Sequence, residues 1–168
     1  MARLAPKILH GGHFVDRDAD LGSIRRRESE RALSQLGIKA YHLGLPDGQL
    51  QDTEHRTKLT DRIMDTVRHE NIKAIATLGL NGYCGHDDHV AAHYAAIDAQ
   101  IRLAFDDVHV PILALNHNHR GQLRIPVPTQ QKLAALAVHE SQFGDVAERQ
   151  ESFEAYQMLF YLETYDLF

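Results

Sequence analysis

The chain is expected to be an α/β domain on a mostly parallel sheet, and three observations say so. Segments with apolar residues at helical spacing alternate with short, compact apolar segments along the 168 residues. Gly, Pro and Asn fall between these segments, where turns are needed. The composition, 43% hydrophobic and 24% charged, is that of a globular protein long enough for one domain with a sizeable core. Alternation of this kind favours parallel strands joined by right-handed crossovers.

Each element can be justified in turn. KIL, residues 7–9, reads as the end of a strand, and HGGHFVDRDADLG, 10–22, as loop. SIRRRESERALSQLG, 23–37, predicts a helix capped by Ser23 and closed at Gly37, with Ile24, Ala32, Leu33 and Leu36 on its buried side. IKAYHLGL, 38–45, reads as a short strand, followed by a turn at Pro46-Asp47-Gly48. In residues 52–71, Leu59, Ile63, Met64 and Val67 recur at helical spacing, and Asn71 ends the helix. IKAIATLG, 72–79, is a compact central strand, and LNGYCGHDDH, 80–89, is a loop. HVAAHYAAIDAQIRLAF, 89–105, is an alanine-rich helix, and VHVPILALN, 108–116, a further strand. Residues 117–128 read as loop or a short edge element, and 129–141 as a helix capped by Thr129. Residues 148–168 read as a last helix, or a helix plus tail.

Several function classes are disfavoured. The formal net charge of -5 argues against wholesale nucleic-acid binding, the Arg25–Arg27 run being a local exception. No apolar run approaches the roughly 20 residues of a membrane span, and the first residues do not read as a signal peptide. Cys84 is the single cysteine, which excludes an intrachain disulfide and fits a reducing cytoplasm.

The densest chemistry lies in GHDDHVAAH, residues 85–93. It follows the segment IKAIATL, and ligands of parallel sheets bind beyond the carboxyl ends of strands. Asp88 is placed to cap the helix or to sit in its first turn. His89 and His93 are four apart and share a helical face. Imidazole binds zinc well, and a carboxylate can complete such a site. The same residues would equally satisfy a helix end without any metal. By itself His93 reads as a packing or hydrogen-bonding residue, and Cys84 as a small loop side chain.

Four blocks in order, RRRESERALSQLG at 25–37, LGLPDGQL at 43–50, GHDDH at 85–89 and KLAALAVHESQ at 132–142, resemble the LmbE-like, or PIG-L, family of zinc-dependent N-acetylglucosaminyl deacetylases. The resemblance covers about residues 21–143 of a single domain, 1–168. It implies a Rossmann-like three-layer fold and removal of an acetyl group from an N-acetylated amino sugar or related small conjugate. It implies zinc with His89 as ligand, His86 as acid or oxyanion stabiliser, and Asp88 as a partner that orients these histidines. Arg25 or Arg26 and Asp47 match substrate-binding positions. His139 matches the histidine of a closing His-x-Ser-Gln pattern, lining the site or supporting it.

Two departures from the family pattern stand out. Asp87 replaces a customary proline. The family's opening His-Pro-Asp-Asp-Glu, which supplies the remaining zinc ligands and the base, occurs nowhere in the chain. The expectation is therefore a domain lacking its first strand and helix. His13 and Asp16 keep the three-residue offset of the missing ligands and are the candidate substitutes, with Asp18 or Asp20 as carboxylates nearby. His117 and His119 are further candidates. An exposed sheet edge would favour a homo-oligomer. A different class, a truncated non-catalytic carbohydrate-binding or interaction protein that keeps the fold, is the competing expectation.

Overall fold

The structure is a computed structural model that describes residues 7–10, 13–16, 20–82, 85–115, 121–126, 129–143 and 162–168. The chain forms two compact units, Met1–His42 with Val127–Tyr161, and Leu43–Pro126 with Leu162–Phe168. The expectations for Cys84, for His117 and His119, for Asp18 and for residues 148–161 fall outside the described residues.

In the first unit, β1 (Lys7–His10) and β2 (His13–Asp16) form an antiparallel pair with Lys7 opposite Asp16. Residues 13–16 are thus a strand and not the expected loop. The missed signal is Gly11-Gly12, since a Gly-Gly pair between two short apolar runs marks a hairpin. Helix α1 (Leu21–Gln35) begins three residues earlier than expected. Asp20, not Ser23, is its cap: the Asp20 carboxylate accepts from the Ser23 amide at 3.2 Å and from the Ser23 hydroxyl. These bonds hold the Asp20 carboxyl below its usual 3.8. Gly37, with φ +68°, lies just past the helix end, where a left-handed residue is needed. Helices α4 (Thr129–Ala137) and α5 (Glu140–Phe143) pack against α1.

Residues 38–46 contain no strand. Ile38, Tyr41 and Leu43 are exposed, so their apolar side chains gain no core on which a strand could pack. Lys39 instead lies over the Tyr41 ring, 4.6 Å from its centroid.

The second unit holds helix α2 (Thr53–His69), strand β3 (Ile75–Thr77), helix α3 (Asp87–Phe105), and strands β4 (Ile112–Leu115), β5 (Leu123–Pro126) and β6 (Leu162–Leu167). The sheet order is β3-β4-β6-β5. β3 and β4 are parallel, with Ile75 opposite Ile112, whereas β6 runs antiparallel to both β4 and β5. The α/β class stands, and the described sheet is mixed. The parallel pair comes from the crossover through α3; the antiparallel pairs come from the tail.

Residues 162–167 are a strand, where a helix or tail was expected. Both β4 and β5 present backbone groups that β6 satisfies, and this outweighs local propensity. The Phe168 amide donates to the Ile112 carbonyl at 3.1 Å, and the Gln100 side chain donates to the Phe168 carbonyl at 3.0 Å.

Ala91, Ala95, Ala96 and Ala99 are buried along α3, and their small side chains let that helix approach α2 and the sheet closely. Val67, Leu103 and Val110 form one apolar cluster; Ala96, Ile112 and Ala114 form another, and Ile63 and Ile75 touch both. This core holds the amino end of α3 beside the carboxyl end of β3.

Candidate functional site

The loop from β3 to α3 is built for close approach. The Gly79 Cα lies where an added Cβ would meet the Leu115 carbonyl oxygen at 2.4 Å, so the loop crosses the end of β4 without side-chain room. The Gly82 amide donates to the Gly79 carbonyl at 2.8 Å and closes a turn. Gly82 has φ +64°, and a Cβ there would lie 2.8 Å from both the His89 Cβ and the Val90 nitrogen.

His86 caps α3. Its Nδ1 accepts from the Asp88 amide at 3.3 Å, so in the neutral ring the proton sits on Nε2. His89 is half-buried, and its Nδ1 lies 3.1 Å from the Gly82 carbonyl oxygen. A carbonyl only accepts, so His89 carries its proton on Nδ1 and its lone pair on Nε2. The two rings lie 5.1 Å apart, tilted by 43°. Backbone bonds therefore give two neighbouring imidazoles opposite tautomers: His86 has a donor Nε2 and His89 a basic one. Asp87 is exposed in the first helical turn, where a negative charge is favoured.

Asp88 also lies in that first turn, 7% exposed. One oxygen accepts from the Gly48 amide at 2.5 Å, the other from the Leu50 amide at 2.8 Å. The carboxylate thus clamps the Pro46-Asp47-Gly48 turn to the start of α3, coupling two motifs forty residues apart in sequence. Asp47 is exposed on that clamped turn. His93 is buried, and its Nδ1 donates to the Leu78 carbonyl at 2.8 Å.

The remaining candidates belong to the first unit. Arg26 is exposed and Arg25 half-buried. Among the described residues, Arg25 Nε and His139 Nδ1 are buried without a hydrogen-bond partner. Glu28, 3% exposed, accepts from the Ser141 amide at 2.8 Å and from its hydroxyl at 2.6 Å. This pair fixes the first turn of α5 at Ser141, two residues after His139. Neither Glu28 nor Ser141 stood out in the sequence; the one available signal was Ser141 within the closing His-x-Ser-Gln pattern. Asp20 is committed to its helix cap. His13 and Asp16 lie on β2, and their side chains are outside the described residues.

The chemistry of His89 fits a zinc ligand. Metal-binding imidazoles characteristically donate their second nitrogen to a carbonyl or carboxylate, as His89 does to Gly82. Among the described residues, no group of three or more His, Cys, Asp or Glu is placed to hold a metal. No described helix is long and apolar enough to cross a membrane.

The family model for PIG-L, GlcNAc-PI de-N-acetylase, matches residues 8–100, more than half of the chain. The match takes in β1 and β2, upstream of the blocks that carried the resemblance in sequence. Among solved structures, the chain is similar to N,N'-diacetylchitobiose deacetylase from Pyrococcus horikoshii complexed with its inhibitor MPG, at a TM-score of 0.65 and 21% identity. That similarity covers 89% of this chain and 64% of the other, so the chain spans less than two thirds of that protein's length. At this identity the likeness is one of fold. None of the curated proteins matches.

Proposed function

The chain belongs to the PIG-L family of GlcNAc-PI de-N-acetylases, and from that premise we propose that it is a zinc-dependent N-deacetylase of an amino sugar or related small conjugate. The observation that carries this reading is the pair of opposed tautomers, His86 with Nε2–H and His89 with a basic Nε2, on rings 5.1 Å apart. Hydrolysis adds water across the acetamide C–N bond and releases acetate and the free amine. Zinc, when bound, supplies a Lewis acid for the carbonyl and a water of lowered pKa.

The chain's own residues do the rest. His89 holds the metal, with its ring oriented by the Gly82 carbonyl. His13 and Asp16 are the proposed further ligands. The His86 Nε2–H donates to the oxygen that gains charge as the carbonyl carbon becomes tetrahedral. To supply the proton that the departing nitrogen needs, His86 would first take up the one lost by the attacking water, its Nδ1 giving up the Asp88 amide as the ring becomes protonated. Asp88 acts through structure, holding Asp47 on a fixed turn where its carboxylate can accept from sugar hydroxyls. Arg25, Arg26 and His139 are proposed as further substrate contacts. The single cysteine supports a cytoplasmic setting.

The test is turnover of N-acetylglucosamine conjugates by the purified chain, before and after chelation and zinc restoration. Zinc-restored activity that His89→Ala abolishes supports the reading. No zinc uptake, together with an unaffected His89→Ala variant, overturns it. Sugar binding without turnover, insensitive to chelation, selects the non-catalytic carbohydrate-binding alternative.

A further inference from the structure

Resting on the reading of His89 as a metal ligand, we propose that His93 is a positioning residue whose imidazole locks the 78–82 loop and, through it, sets the orientation of the His89 ring.

His89 and His93 lie one helical turn apart on α3, and the loop runs back along the same face. His89 Nδ1 meets the Gly82 carbonyl at 3.1 Å, and His93 Nδ1 meets the Leu78 carbonyl at 2.8 Å. Five residues of loop, 78–82, are thus stitched at both ends to five residues of helix, 89–93. Between the stitches the chain has little slack. The Gly82 amide closes a turn on the Gly79 carbonyl at 2.8 Å, and Gly79 is pressed against the Leu115 carbonyl. A shift at Leu78 is therefore passed along the loop to Gly82, whose carbonyl fixes the tautomer and tilt of His89.

His93 itself is well anchored. It is 2% exposed, and its ring meets Tyr94 edge-on at 5.5 Å and Phe168 at 6.1 Å. A leucine of similar size would satisfy this packing. It would not satisfy the Leu78 carbonyl, so the hydrogen bond distinguishes a positioning role from filling space.

The two imidazole nitrogens allow a sharp test. The Asn side-chain nitrogen falls near the position of Nδ1, whereas the Gln nitrogen falls near that of Nε2. The full chain would be compared as wild type, His93→Asn and His93→Gln. The readouts are zinc affinity, by competition with a chromophoric chelator, and amide hydrogen exchange of residues 79–82 in the metal-free chain. His93→Asn is expected to keep zinc affinity within about threefold, and His93→Gln to weaken it about tenfold, as loss of a group that orients a ligand does. Exchange in the loop is expected to rise in the Gln variant alone. Equal behaviour of the two variants, or unchanged loop exchange in both, overturns the proposal. If His93→Gln does not fold, His93→Asn decides alone: wild-type values support the proposal, and loss of either with the fold intact overturns it. His89→Ala separates the two levels. Undiminished zinc uptake there removes the metal reading, while the metal-free exchange comparison still judges the stitch.

Discussion

Replacing Asp88 by alanine removes one carboxylate that serves two backbone amides. The Gly48 bond is 2.5 Å and the Leu50 bond 2.8 Å, both to an acceptor that is 7% exposed. Each such charge-assisted bond contributes about 1.5 kcal/mol or more. Gly48 is exposed and its amide can be rehydrated, which discounts the pair to about 2 kcal/mol in total. With a urea slope of about 2 kcal/mol/M, the unfolding midpoint should fall by about 1 M. Asparagine sharpens the expectation. It keeps one acceptor oxygen but turns an NH2 toward the second amide, so Asp88→Asn should cost nearly as much as Asp88→Ala. Exchange of the Gly48 and Leu50 amides should rise about thirtyfold, the equivalent of 2 kcal/mol on a scale of about 1.4 kcal/mol per decade. A midpoint shift below about 0.2 M in both variants, or unchanged exchange at both amides, would refute the clamp.

Gly82→Ala should lower stability by about 3 kcal/mol, combining a left-handed backbone with a Cβ forced 2.8 Å from His89 and Val90. Thermal unfolding measures it, and zinc uptake should fall with it. Glu28→Gln keeps an oxygen for the Ser141 amide and can donate its NH2 to the Ser141 hydroxyl, so it should cost about 1 kcal/mol by urea denaturation, while Ser141→Ala leaves a buried carboxylate oxygen without its partner and should cost about 2 kcal/mol. Because the folded-state pKa of Asp20 is lowered, its cap contributes above the ordinary carboxylate value and is lost as pH falls through the lowered one. The thermal midpoint of Asp20→Ala should lie below that of wild type at pH 6, and the gap should narrow as pH falls below 3.8; a gap independent of pH would count against the cap.

Local elements were legible where the signal was local. Leu59, Ile63, Met64 and Val67 announce α2, Asn71 ends it with φ 52°, and Gly37 closes α1 as expected. The GHDDH block drew attention to His86 and His89 because residue type and spacing carry chemistry without reference to the rest of the chain. Residues 38–45 misled, because their apolar alternation resembles a strand, but no core lies beneath them. Residues 162–167 misled in the other direction. Their helical look yielded to two strands that needed a partner.

The sequence by itself determined the α/β class, helices α2 and α3 and the candidate block, since periodicity and imidazole spacing act within a few residues of each other. Only the tertiary structure decided what Asp88 and His93 do. Asp88 reads in sequence as a cap or a site carboxylate, yet its bonds reach Gly48 and Leu50. His93 reads as a packing or hydrogen-bonding residue, and only the fold names its partner, the Leu78 carbonyl. Backbone amides and carbonyls are the partners in both cases. Every residue carries them, so no pattern of side chains can reveal which ones the fold will bring within hydrogen-bond reach.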